Sequence, residues 1–378
     1  MRFVLIFSIS IFSFQCQKQS LGWEEVLKSL PKTKIKIQKE GQIKRGSVIG
    51  IEPYLTQFHY SSEESFYSVL NTYLDLAKEE GLIAIDRTII VFPEYIGTWL
   101  IVTGDDKTIF AESKMELAME MLVKKNFGSF LWTYLFSKNY AEDHLKESVF
   151  RMKAWQMSSR YQSVFSRLAR EYRVAIVAGS IVLPSPRVVE GKITPGDGPL
   201  ENVSFYFHSN GRVDEQIVKK IFPILDEQSF ISEGKIETNL PIKTPLGKLS
   251  TFICADSWFP NLYQSLDTED VEILTIPSLV APSSSWNDKW NGYNGYANPQ
   301  DVNPKDIGAI TKKQAWKKYA MPGRITKTKV KLAVNVFFRG KLWDLEANGE
   351  SFLYYQKKII PPTAGGDDLT GRIYALFL

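Results

Sequence analysis

The chain has 378 residues, 44% hydrophobic and 23% charged, with a formal net charge of +4. That is the balance of a globular protein with ample material for a core, and the charge is too small to indicate a nucleic-acid binder. Its three histidines, His59, His144 and His208, lack zinc-ligand spacing and meet no Cys/His cluster, which leaves zinc hydrolysis and histidine-based triads without support.

In chain order, Met1-Arg2 and the apolar run Phe3 to Phe14 come first. The run is too short to span a bilayer as a helix. A basic start with a short apolar core reads as an export signal, to be left out of fold reasoning. Cys16 stands where that core ends, before the polar stretch Gln17-Lys18-Gln19-Ser20. The arrangement resembles a bacterial lipoprotein signal, in which the cysteine is lipidated and becomes the mature N-terminus. Phe14-Gln15 departs from the small residues usual there, so an uncleaved signal anchor in the inner membrane and an ordinary secretory signal stay open. The expectation is an exported chain held at a membrane through Cys16, with residues 1–16 as signal and anchor and 17–45 as a tether rich in lysine. With Cys16 acylated, Cys254 has no partner, and a disulfide scaffold is excluded.

Residues 46–378 read as one domain, since no second Pro/Gly/Ser linker follows. Ser47 to Ile51 is a short apolar strand. Glu63 to Glu80 has helical spacing in Phe66, Leu70, Leu74 and Ala77, closed by Gly81. Thr88 to Phe92 is a β-branched run of the buried-strand kind. Helices fill much of Ser113 to Tyr172, and Val174 to Leu183 is a strand. Asn210-Gly211 turns Val203–His208 into Val213–Val218 as a hairpin. Strands follow at Leu249–Ile253, Ile273–Ile276 and Lys331–Phe338, with a helix at Lys312–Tyr319 between the last two and a further hairpin at Asn348-Gly349. Alternating strands and helices with interspersed hairpins predict a layered α/β domain.

Three polar residues stand at strand ends. Glu94 follows Thr88 to Phe92 and Pro93, and the C-terminal ends of strands are where open α/β sheets bind ligands. Lys220, in Val218-Lys219-Lys220-Ile221-Phe222-Pro223, is a cation that can stabilise an oxyanion or lower the pKa of a thiol. Cys254, in Ile253-Cys254-Ala255-Asp256-Ser257-Trp258-Phe259-Pro260, is a thiol on a turn after a strand. A thiol nucleophile needs a base and a nearby cation, and Glu94 and Lys220 could supply them. The backbone N–H of the turn after Cys254 could add a second oxyanion donor.

Phe92-Pro93-Glu94, the lysine segment and Ile253-Cys254-Ala255-Asp256-Ser257-Trp258-Phe259-Pro260, in that order, resemble the three blocks of the carbon–nitrogen hydrolase (nitrilase) superfamily. The resemblance implies a four-layer α-β-β-α sandwich that pairs into dimers or larger assemblies. It implies Glu94 as general base, Cys254 as the nucleophile forming a thioester or thioimidate, and Lys220 as stabiliser of the tetrahedral intermediate, with no cofactor. Lys220 is preferred to Lys219 because Lys220, Pro223 and Glu227 then match a Lys-x-x-Pro-x-x-x-Glu pattern, with Glu227 as a positioning glutamate. A one-residue slip would send the lysine to the other face of its strand. Ala255-Asp256 after the cysteine resembles the amidase and carbamoyl-amide branches, where true nitrilases carry Trp-Glu. The implied function is hydrolysis of a non-peptide C–N bond in a small amide or carbamoyl substrate. Nitrile hydrolysis, N-acyl transfer to a soluble amine and a non-catalytic ligand-binding relative are the alternatives. The aromatic stretch Phe127 to Phe136 exceeds a compact member of the family and reads as a lid or a membrane-facing patch beside the active site, or as an extra packed helix or dimer contact. A second aromatic loop, 283–303, follows the strand after Cys254 and could line the pocket.

Overall fold

In the computed structural model, residues 33–362 and 369–378 are described. The signal segment, Cys16 and the greater part of the expected tether lie outside them.

The first half of the chain builds one sheet. Its strands are β1 (Lys34–Glu40), β2 (Ser47–Glu52), β4 (Thr88–Val91), β5 (Ala175–Val177), β6 (Ile181–Pro184), β9 (Leu200–Phe207) and β10 (Val213–Lys219). Between them lie the short β3 (Tyr54–Thr56) and the small hairpin of β7 (Arg187–Val189) and β8 (Lys192–Thr194). The second half builds the other sheet from β11 (Ile242–Thr244), β12 (Gly247–Thr251), β13 (Ile273–Ser278), β14 (Leu332–Phe337), β17 (Phe352–Tyr355) and β18 (Lys358–Ile360). A third, small sheet joins β15 (Arg339–Leu342) and β16 (Leu345–Asn348) to β3, and β19 (Thr370–Phe377) returns to the first sheet.

The first sheet runs β1-β19-β2-β4-β5-β9-β10, with β6 also on β9; the second runs β11-β12-β13-β14-β17-β18. In each, a parallel centre (β2-β4-β5 and β12-β13-β14) is flanked by antiparallel strands. The parallel crossovers carry the helices. These are α1 (Glu63–Glu79), α2 (Lys107–Ala111), α3 (Met115–Lys125), α4 (Phe127–Phe136) and α5 (His144–Tyr172) in the first half. In the second half they are α7 (Pro260–Thr268), α8 (Lys312–Tyr319) and α9 (Met321–Arg324), while α6 (Leu225–Gln228) lies in the connection from β10 to β11.

The two sheets face each other. Val48, Ile89, Val91 and Val177 of the first pack on Leu249, Ile273, Val334 and Val336 of the second. A Cβ on Gly50 would stand 2.5 Å from Val336 and 2.7 Å from Val334, so the glycine sets how closely the sheets approach. On the outer face of the second sheet, Leu262 and Leu266 of α7, Trp316 of α8 and Met321 of α9 cover Leu274, Ile276 and Phe337. On that of the first, α1 and α5 meet through Phe66 and Phe165, and Phe165 lies on Phe92 and Phe207. This is the α-β-β-α layering implied by the sequence.

Three local expectations need correction. Residues 34–40, assigned to a tether, form β1, whose lysines alternate with Ile35 and Ile37 and which pairs in parallel with β19. Val174–Leu183 is two strands rather than one. Gly179 (φ +67°) breaks the run, and its missing side chain makes room for the Pro93 carbonyl, which a Cβ would meet at 2.1 Å. Asn348-Gly349 is no hairpin turn, because β16 and β17 belong to different sheets; the tight turn lies at Trp343-Asp344, with Trp343 at φ +54°. Among the described residues, no helix is long and apolar enough to cross a membrane, and no cluster of His, Cys, Asp and Glu could hold a metal ion.

Candidate active site

The C-terminal ends of β4, β10 and β12 converge, and each delivers one polar side chain. β4 leads through Phe92-Pro93 to Glu94, which is 1% exposed. The following Tyr95 sits at φ +62° and its N–H donates to Ser180 Oγ at 2.9 Å, which pins the turn. β10 ends at Lys219. The next residue, Lys220, donates its own N–H to the Asn202 carbonyl at 2.9 Å and accepts from Gly234 at 2.8 Å.

The register sends the two lysines apart. Lys220 Nζ, 2% exposed, lies 2.8 Å from Glu94 Oε1 and 2.6 Å from Glu227 Oε2. Lys219 Nζ points away and pairs with Glu201 at 2.8 Å. Glu227, at the start of α6, is held by the Ile224 N–H at 2.8 Å and by a short hydrogen bond from the Tyr95 hydroxyl.

Cys254 follows β12 with φ +50°, a left-handed conformation that a side chain adopts only where its surroundings impose it. Its Sγ is 3.6 Å from the Leu279 carbonyl, and the thiol is within hydrogen-bond reach of the Glu94 carboxylate. Ala255 lines the same cavity directly beside it, at the open start of a short 3-10 turn. The loop is fastened by Asp256. Its Oδ2 accepts the Ile253 N–H at 3.0 Å, and its Oδ1 accepts the N–H groups of Ile221 and Phe222 at 3.0 and 2.9 Å. One carboxylate therefore binds the Cys254 loop to the segment just after Lys220.

The electrostatics follow from the burial of three acids, one base and a thiol together. Burial pushes the Glu94 carboxyl up, and the charge of Glu227 adds to this, while the Lys220 ammonium opposes it. Burial opposes the charge on Lys220, yet Glu227 and Glu94 outweigh it and hold the ammonium well above its usual value. Burial and the charge of Glu94 push the Cys254 thiol well up, so the resting form is the protonated thiol. Burial lifts Asp256 to about 7 against its three backbone donors.

These groups form the floor of a cavity of about 630 Å³. Its walls are aromatic, with Trp258, Trp290, Tyr293 and Trp316 on one side, and Lys312 is a charged group on the wall. The loop 283–303 supplies Trp290 and Tyr293, as expected of it. A buried base beside a buried thiol and a fixed ammonium can carry out nucleophilic acyl chemistry with charge stabilisation.

Glu94, Lys220, Glu227, Cys254 and Asp256 thus share one region, and Ala255 stands among them. Two supporting residues escaped the sequence reading. Asn202 donates from Nδ2 to Glu94 Oε1 at 3.0 Å; it is one of three polar residues in β9, with Glu201 and Ser204, and nothing in the sequence singles it out. Tyr95 holds Glu227, and nothing in its spacing marks it.

Solved structures share this architecture. A carbon-nitrogen hydrolase from Helicobacter pylori G27 is 13% identical with a TM-score of 0.51, over 87% of this chain and 88% of that one. An amidase from Nesterenkonia sp. is 12% identical with a TM-score of 0.51, over 89% and 93%. A variant of the amidase from Nesterenkonia sp. AN1, with acrylamide added at its active-site cysteine, is 10% identical with a TM-score of 0.50, over 88% and 92%. At these identities the likeness is one of fold. The carbon-nitrogen hydrolase family model matches residues 49–292, from the first central strand through the Cys254 block to the aromatic cavity wall, and the chain belongs to that family.

Proposed function

We propose that the protein is an amidase-type thiol hydrolase that cleaves a non-peptide amide or carbamoyl C–N bond through a Cys254 acyl-enzyme. The observation that carries this reading is that Glu94 Oε1 lies 2.8 Å from Lys220 Nζ while its carboxylate also reaches the Cys254 thiol. Glu94 touches both the cation and the nucleophile at the floor of one cavity.

In the first half-reaction Glu94 takes the thiol proton as Sγ attacks the carbonyl carbon. The Lys220 ammonium and the Ala255 N–H stabilise the oxyanion. The tetrahedral intermediate collapses, Glu94 returns the proton to the leaving nitrogen, and ammonia or an amine departs, leaving a thioester. In the second half-reaction Glu94 takes a proton from water, the hydroxyl oxygen adds to the thioester, and collapse releases the acid and restores the thiol. The raised thiol suits this scheme, because a base in contact with a protonated nucleophile delivers the thiolate only as the bond forms. Ala255-Asp256 after the nucleophile favours amides over nitriles. We place the enzyme at a membrane through Cys16, working as a homodimer or larger assembly.

The test is release of ammonia or amine from a panel of short amides, N-carbamoyl compounds and nitriles, with Cys254→Ala as control. Cysteine-dependent release from amides alone supports the reading. Release from nitriles alone, or release that persists in Cys254→Ala, overturns it.

A further inference from the structure

α4 is a ten-residue helix, Phe-Gly-Ser-Phe-Leu-Trp-Thr-Tyr-Leu-Phe, without a charge. Only Phe130 is buried. Phe127, Leu131, Trp132, Leu135 and Phe136 are exposed, Trp132 and Phe136 at 67% each. At 3.6 residues per turn these five cover roughly half the helix circumference. The helix is thus a protruding apolar ridge about 15 Å long.

It is held firmly. Asn126, which precedes it as the N-cap, donates to Asp105 at 2.8 Å, and Lys153 Nζ reaches Asp105 at 2.9 Å and Asn126 Oδ1 at 3.0 Å, in a buried clamp. At the other end the Tyr134 carbonyl meets His144 Nε2 at 3.0 Å, and the two rings lie 4.5 Å apart. Rigid exposure of this much aromatic surface marks a docking element.

The occupant is set by side-chain type and charge. An exposed apolar helix face suits a protein groove or a bilayer interface alike, and the side-chain types and flanking charges favour the bilayer. Trp, Tyr and Phe are the side chains that settle at the level of lipid headgroups. Between Glu120 and Glu142 the sequence has no acidic residue, and Lys124, Lys125 and Lys138 flank the helix. Lys124 and Lys125 form exposed pairs with Glu120 and Asp106, contacts weak enough for a headgroup to replace.

We propose that α4 is an interfacial docking helix, which seats in the headgroup region of an anionic phospholipid bilayer. It does so independently of any acyl chain on Cys16. The helix α5, on which α4 packs, also meets the segment that carries Glu227. The Asp143 N–H, just before α5, donates to the Ser229 carbonyl at 2.9 Å, and Phe150 of α5 stacks on Phe230, within three residues of Glu227. Docking therefore sets the cavity at a fixed height over the membrane.

The test uses the full chain with Cys16→Ser, mixed with vesicles of phosphatidylcholine and phosphatidylglycerol whose acyl chains carry bromine, a short-range quencher of indole fluorescence. The signal of Trp132 is the difference between this chain and the same chain with Trp132→Tyr. Loss of most of that emission is expected. The loss should vanish in Leu135→Asp/Phe136→Asp, while release from a soluble amide stays unchanged. It should shrink in vesicles of phosphatidylcholine alone. An unquenched Trp132 on vesicle-bound protein overturns the proposal. So does sedimentation that shows a dimer falling to monomer in Leu135→Asp/Phe136→Asp, which would make α4 a contact between two copies.

Discussion

The Phe222 N–H donates to Asp256 Oδ1 at 2.9 Å, and this contact ties the strand end that carries Lys220 to the loop that carries Cys254. The two chemical groups come from segments more than thirty residues apart, yet they share a single carboxylate as their fastening. In Asp256→Asn one oxygen becomes an N–H₂ facing a backbone N–H, so at least one buried donor loses its partner, at about 1–3 kcal/mol. The expected outcome is a lowered melting temperature, together with a fall in kcat of about tenfold or more as nucleophile and cation drift apart. Asp256→Ala restored to full activity would contradict the fastening role.

The two adjacent lysines give an internal control. Lys220→Met leaves Glu94 and Glu227 as buried, uncompensated carboxylates, a loss of about 3–5 kcal/mol of stability. It also removes the oxyanion cation, worth about 100- to 1000-fold in kcat. Lys219→Met breaks only the partly exposed pair with Glu201 and should change activity by less than about twofold. Glu227→Gln keeps the packing around Lys220 and separates the effects: kcat falls while the fold is retained. Steady-state kinetics beside thermal melts of the three variants check the assignment.

The pH dependence of kcat/KM follows from Glu94 and Cys254. The reactive form has an ionised Glu94 beside a protonated thiol. Glu94 lies above its ordinary 4.5, so the acid limb of the profile should fall above that value. Cys254 lies well above its ordinary 9.0, so the alkaline limb should fall higher still. A broad bell is expected, and Glu94→Gln should remove its acid limb along with most of the rate. A low-pH plateau running below 4.5 would contradict the role of Glu94.

His59 gives a prediction about stability alone. Burial lowers its pKa from 6.5 to about 4, and its Nδ1 accepts the Thr56 N–H at 2.9 Å, which requires the neutral ring. The unfolded chain binds the proton more readily, so this contribution is fully present above pH 6.5 and is lost as pH falls toward 4. With part of the ring exposed, the loss is about 2 kcal/mol. Melting temperature measured across this range should fall less steeply in His59→Gln than in the parent.

The chemistry was legible in the sequence because it depends on residue types at strand ends. Taken singly, Glu94 and Lys220 read as surface residues of turns; it is the three blocks in order that resemble a known family, and that family's Lys-x-x-Pro-x-x-x-Glu pattern is what favours Lys220 over Lys219. Long periodic elements such as α1 were equally plain. What the sequence hid was contact between distant segments. β1 reads as a basic tether until β19 is there to pair with it, and Asn202 is one polar residue among three in β9 until Glu94 lies against it. The Asn348-Gly349 turn signal was overridden because tertiary pairing sends the flanking strands to different sheets.

The seven-residue parallel ladder between β1 and β19 also has a mechanical side. A pull on the N-terminal end of β1 directed along the strand loads the ladder in shear, so its hydrogen bonds share the force instead of opening one by one. The same pull directed across the sheet would peel the edge strand away pair by pair. A force applied to the chain at the start of β1 would therefore reach the rest of the domain through a joint that is strong in one direction and weak in the other.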